Sequence, residues 1–219
     1  MAGVASDKLK RLSSALALGL ALLVGCSKSP EASLPNVPLA PLTIEMRDAA
    51  VQRGKAIATE TFSLLSSNLQ TAIQQGGISN ALPFCSLAAS PLTAGMAGKY
   101  GVTIRRVTHK ARNPTGKAAA VELAVLRQFE SVLASARTNP PLPLVTNFSA
   151  STATFFAPII LNHELCLKCH GELGKDIATE NVAVIRRLYP QDEATGFKLG
   201  DLRGAWRIDI PLASLQSGQ

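Results

Sequence analysis

Leu165-Cys-Leu-Lys-Cys-His-Gly171 puts two thiols three residues apart and an imidazole directly after the second. On a helical turn, thiols at that spacing lie on one face. They can then add to the two vinyl groups on one edge of a haem, with His170 reaching the iron from below as the proximal ligand. CxxCH is the attachment pattern of c-type haem, here one covalent haem c on Cys166 and Cys169. Two other chemistries use the same residue types. A thioredoxin-like redox pair calls for a βαβ context that this sequence lacks. A zinc site could be assembled from Cys166, Cys169, His170 and Cys85.

The N-terminal residues bear on that choice through the compartment. Lys8, Lys10 and Arg11 precede an apolar run from Leu12 to Val24, followed by Leu23-Val24-Gly25-Cys26. Charge, a short greasy segment and small residues make an export signal, whereas a membrane span needs roughly 20 apolar residues. Cys26 after Leu-Val-Gly resembles a bacterial lipobox, in which the cysteine is lipidated and becomes the mature N-terminus. An ordinary signal peptide cut nearby, or a short membrane anchor, is the alternative. Ser27 after the cysteine resembles lipoproteins sent to an outer membrane, which places the chain there, facing the periplasm. Export favours haem, because c-type haem is attached outside the cytoplasm.

The expected organisation is a signal peptide over 1–25, a lipidated Cys26 with a tether over 26–43, and one domain over 44–219. Residues 27–43 hold four prolines and little that could pack, as a semi-extended tether does. A hydrophobic content of 47% supports a proper core without disulfide staples. The formal charge is +7, and removing residues 1–25, with Asp7, Lys8, Lys10 and Arg11, leaves +5. These charges are dispersed and aromatics are few, so nucleic-acid binding is not expected.

The elements that must position the CxxCH motif alternate in type. Residues 45–74 read as a helix, with Ala50, Ile57, Leu64 and Leu65 among its apolar positions, stopped by Gly76-Gly77. Ser79 suits the cap of a short second helix containing Cys85, and Pro91 the first position of a third. Residues 101–109 are β-branched and read as a strand. Residues 117–137 read as an amphipathic helix with Val125, Leu126, Phe129, Val132 and Leu133 on one face. Thr152 to Leu161 reads as a strand, with Pro158 pointing to an edge or a bulge. After a helix at about 176–188, residues 205–211 alternate, with Trp206, Ile208 and Ile210 one way and Arg207 and Asp209 the other. The chain is α+β rather than a helical bundle.

In this order, the lone Cys85 on a helix, Tyr100-Gly-Val-Thr-Ile-Arg-Arg106, Arg112-Asn-Pro and Phe156-Ala-Pro-Ile precede the CxxCH motif. Leu188-Tyr-Pro, Ala194-Thr-Gly-Phe and Gly200-Asp-Leu-Arg-Gly-Ala-Trp206 follow it. From about Glu45 to Leu212 the sequence resembles the c-type haem family with a PAS-like domain, members of which also serve as sensory domains of bacterial signalling proteins. The resemblance implies a central antiparallel sheet flanked by helices, and a distal haem ligand that can be a cysteine.

Residue type alone would make Cys85 a buried apolar side chain. With the resemblance and the haem motif, axial ligation by Cys85 becomes the reading, since it leaves no free thiol in an oxidising compartment. His163, His109, Met96 and an open distal site are its rivals. Arg105 and Arg106 are candidates for the haem propionates, or for a charged strand face. Tyr189, Trp206 and Phe156 are aromatic candidates for lining the haem, or for core packing.

A thiolate and an imidazole on one iron give a low-potential, six-coordinate haem. No Ser/His/Asp spacing or carboxylate pair reads as a catalytic constellation, so no enzymatic activity is expected. The expected function is a redox or small-gas sensor in which Cys85 is displaced on reduction, acting on a separate signalling or redox partner. The alternatives are an electron-transfer cytochrome with fixed ligands, and a structural zinc-binding lipoprotein.

Overall fold

The computed structural model describes residues 41–135 and 140–216. The export signal, Cys26 and the tether up to residue 40 lie outside the described residues. No helix among them is long and apolar enough to cross a membrane.

Helix α1 runs from Ile44 to Tyr100. Thr43 caps its start, its hydroxyl accepting from the Met46 N–H at 3.2 Å, and Glu45 adds a carboxylate in the first turn. Gly101, at φ 62°, ends it as a left-handed cap whose N–H returns to Ala97 and Gly98. Ala50, Gly54, Ile57, Ala58 and Thr61 form the buried stripe of its first half. Gly54 carries the closest approach, since a Cβ there would stand 2.3 Å from the Phe155 ring.

The expected stop at Gly76-Gly77 is a break inside this helix. Gly77 takes φ 71°, ψ −169°, a conformation close to glycine-only. The second half folds back along the first: Glu60 accepts from Lys99 and from the Tyr100 hydroxyl, and Arg53 donates to the Tyr100 carbonyl at 3.0 Å. Two local expectations are corrected here. Ser79 caps nothing; its hydroxyl donates to Asn181 Oδ1 at 2.6 Å. Pro91 lies inside the helix and does not begin a new one. Pro91 is exposed, and the helix continues through it at the cost of one backbone hydrogen bond, with its buried residues elsewhere, at Ala81, Leu82 and Met96.

Strands β1 (Thr103–Val107), β2 (Leu144–Thr146), β3 (Thr152–Ile160) and β4 (Leu202–Pro211) form one antiparallel sheet in the order β1-β4-β3-β2. Helix α2 (Ala120–Ser135) follows a short 3-10 turn at Pro114–Gly116, so the helix expected from residue 117 starts later. Helices α3 (Glu164–His170) and α4 (Thr179–Leu188) complete the α+β, PAS-like fold. Pro158 is accommodated as its chemistry requires. Strand β2 pairs only as far as Phe156, so Pro158 has no strand partner on that side, while on the other side it stays in register with Ala205 of β4.

The alternation read in β4 sorts the two faces. Ile104, Trp206, Ile208, Ile210 and Phe155 pack with Ala50, Ile57 and Met96 of α1. Val107, Phe156 and Ala205 pack with Val125, Leu126 and Phe129 of α2. On that second face, Glu122 is fully buried and accepts from Arg207 at 2.7 Å and Arg105 at 3.1 Å. A third cluster joins Leu82 of α1 to Ile177 and to Val182 and Ile185 of α4.

Candidate functional site

The CxxCH residues make up nearly all of α3, a helix of seven residues. His163 caps it, its Nδ1 accepting from the Leu165 N–H at 3.0 Å. At the far end there is no space for a side chain at Gly171, where a Cβ would lie 2.5 Å from the Asp176 Cβ. Cys166 packs with Leu161, Ala194 and Phe197, and Cys169 with Leu82, Ile177 and Ile185. Cys85, Cys166, Cys169 and His170 are all half-buried.

His170 Nδ1 lies 2.9 Å from the Ala194 carbonyl. A carbonyl oxygen only accepts, so Nδ1 carries the proton and Nε2 keeps its lone pair. The Phe197 ring meets the His170 ring edge-on at 6.3 Å. Burial, with the nearby Arg203 and Arg112 cations, holds His170 well below the usual histidine range, so the ring is neutral.

Cys85 lies on the second half of α1, eight residues beyond the Gly77 break. Burial pushes its thiol up, against the pull of Arg106 and Arg112. Cys169 is pushed up to about 11, mainly by burial, and Cys85 and Cys166 are both within electrostatic reach of it. Tyr189, at the end of α4, also has its hydroxyl pushed up by burial, opposed by a hydrogen bond with Ser86.

Of the two arginines expected near a haem, one is in the site. Arg106 rests against the Trp206 ring at 5.9 Å on the α1 face and acts electrostatically on Cys85 and Tyr189. Desolvation lowers its basicity, with Cys85 and Tyr189 acting in the opposite sense. Arg105 points to the α2 face and is engaged by Glu122.

Two arginines not singled out as site residues from the sequence complete the set. Arg112 is paired with Asp192 at 3.1 Å. Arg203 stacks on Phe197 at 5.4 Å, donates to Thr108 and the Lys110 carbonyl, and keeps a buried Nε without a partner. Burial and the Arg112 and Arg106 cations bring it down to about 10. Extrapolated alternation would put Arg203 with Arg207 under α2. Arg203 is the extra residue of a bulge in β4, opposite the Ile159–Ile160 step of β3, and with Gly204 at φ 152° this turns it toward Phe197 instead.

The remaining candidates lie elsewhere. His109 is separated from His170 by the Phe197 ring. Its Nδ1 is 3.4 Å from Glu130 Oε1, close enough for an ion pair but without hydrogen-bond geometry. Met96 packs in the α1–sheet core, and so does Trp206; Phe156 packs under α2. Only Tyr189 among the aromatic candidates reaches the surroundings of Cys85.

The donor set fits a haem better than a zinc ion. Among the described residues, no group of three or more His, Cys, Asp or Glu side chains is arranged to hold a metal ion. Cys85, Cys166, Cys169 and His170 therefore do not form a zinc cage. Arg106, Arg112 and Arg203 stand around the site with Asp192 as the carboxylate partner, and the Arg203 Nε is orphaned. Three guanidinium groups with one carboxylate partner call for further carboxylates, which a haem carries as its propionates.

The crystal structure of the cyanobacterial heme-protein Tll0287 is similar to this chain. It aligns with a TM-score of 0.52 at 24% identity, over 73% of this chain and 94% of that one, a likeness that shows the fold. No curated protein matches the chain. The family profile covers the sheet, α3 and the second half of α1 together, and over residues 43–211 the chain belongs to the Tll0287-like family.

Proposed function

We propose that this chain is an exported haem-binding protein. Cys166 and Cys169 hold one haem covalently, His170 is the proximal ligand and Cys85 the distal one. The observation that carries the reading is the hydrogen bond from His170 Nδ1 to the Ala194 carbonyl, which leaves Nε2 free beside two thiols at attachment spacing. The arginine excess and the heme protein of similar fold support it.

When bound, a haem supplies a redox-active iron. The residues of the chain do the rest. Ala194 orients the imidazole, and Arg106 and Arg203 are available to carboxylates. The helix after Gly77 carries Cys85, so release of the thiolate would be felt along that helix and at its seam with α4, through Ser79–Asn181 and Leu82. The break at Gly77, which sets the Cys85 segment apart from the first half of α1, suits a redox or small-gas sensor with a separate protein partner. From the sequence, the signal over 1–25 and a lipidated Cys26 would anchor the protein to the outer membrane, facing the periplasm.

The test is carbon monoxide added to the reduced protein. Binding with loss of Cys85 ligation is expected. An unchanged six-coordinate ferrous spectrum would make the chain an electron-transfer cytochrome with fixed ligands.

A further inference from the structure

Arg112 lies in the loop after β1, and its guanidinium touches both sides of the site. Nη2 donates to the Cys169 carbonyl at 2.6 Å, near the end of the CxxCH helix. It also lies 3.3 Å from the Ala194 carbonyl oxygen, the one bound by His170 Nδ1. Asp192 anchors Nε at 3.2 Å and Nη2 at 3.1 Å, in a pair only 12% and 7% exposed. The guanidinium sits over the Tyr189 ring at 5.7 Å, and Tyr189 and Arg112 both lie within electrostatic reach of Cys85.

We propose that Arg112 is a positioning residue for both axial ligands, holding α3 and the partner of His170 directly and the Cys85 helix through Tyr189. The inference rests on the haem reading. A carbonyl that accepts from a guanidinium has less electron density to offer the His170 N–H. The imidazole then keeps less imidazolate character and is a weaker donor to iron. Releasing Arg112 strengthens His170 as a donor, stabilises the ferric state and lowers the potential. Removing the cation acts in the same direction, so Arg112→Gln cannot separate position from charge. Arg112→Lys can, because it keeps the charge and loses the planar fork.

The experiment uses the full chain, exported with haem-maturation machinery and checked for covalent haem by mass. Midpoint potential and solvent exchange of the His170 ring N–H are measured in wild type, Arg112→Lys and Asp192→Asn. Arg112→Lys is expected to shift the one-electron equilibrium toward ferric about tenfold, which is ~59 mV. Its ring N–H is expected to exchange about tenfold faster: the closed bond is the stronger one, but the loop that carries Ala194 is no longer tied to α3 and opens more often. Asp192→Asn, which keeps Arg112 but loosens its anchor, should speed the same exchange by less, and it carries the test if Arg112→Lys does not fold. Haem present with exchange unmoved in the folded variants overturns this inference alone. A wild-type chain without covalent haem overturns the haem reading and this inference with it.

Discussion

His170 Nδ1 and the Ala194 carbonyl oxygen lie 2.9 Å apart across a separation of twenty-four residues. The contact settles the tautomer of the imidazole and gives α3 a partner outside the CxxCH segment. His170→Ala should leave the thioethers formed, because both thiols remain, and convert a low-spin ferric spectrum to a high-spin one. Mass spectrometry and absorption on the same sample check this, and a low-spin spectrum retained in the variant would count against His170 as ligand.

The two adjacent arginines of β1 should behave oppositely. Arg105 is held by Glu122 under α2, whereas Arg106 stands on the Cys85 side of the sheet. Arg105→Ala is expected to leave the midpoint potential at the wild-type value. Arg106→Ala and Arg203→Met each remove a cation near the iron, which favours the ferric state and lowers the potential. Redox titration of the three variants checks the sign, and an equal response from Arg105→Ala would contradict the placement.

Gly54 and Gly77 predict losses of similar size for different reasons. Gly54→Ala drives a methyl into the Phe155 ring and should cost about 1–3 kcal/mol by overpacking. Gly77→Ala meets nothing within 4 Å, yet forces an L-residue into a near glycine-only conformation at about 1–3 kcal/mol. Urea unfolding measures both. A larger side chain accepted at Gly54 without loss would mean that α1 does not lie on Phe155.

Glu122 is a carboxylate buried between two arginines, and its Oε2 also accepts from the Ala119 N–H at 2.7 Å. Glu122→Ala leaves Arg207 with Asp209 as its remaining carboxylate partner, at 3.1 Å, and frees Arg105, which is more exposed. The expected cost is about 2–3 kcal/mol, below that of a wholly buried pair. The haem spectrum should not change, since the group faces away from the site. Denaturant midpoint and absorption together check the two halves of this expectation.

Much of the fold was legible because strand alternation and helix spacing report burial directly, as the sorting of Trp206, Ile208 and Ile210 from Arg207 and Asp209 shows. Pro91 misled because local propensity reads a proline as a beginning, whereas α1 continues through it at the cost of one backbone hydrogen bond. Strand β2 went unseen, being three residues long and defined only by its pairing with β3. At the candidate site, the CxxCH spacing singled out Cys166, Cys169 and His170, which the structure places on one seven-residue helix. Arg203 and Asp192 were not singled out, because a bulge and a long-range ion pair place them, and neither leaves a periodic trace.

The central claim is a haem held between His170 and Cys85. The most direct test is the ferric absorption spectrum of residues 27–219, exported with haem-maturation machinery, beside Cys85→Ala. A thiolate-type low-spin spectrum in the wild type that is lost in the variant is the predicted result. Identical spectra would contradict Cys85 as the distal ligand, and the absence of covalent haem from both samples would contradict the account as a whole.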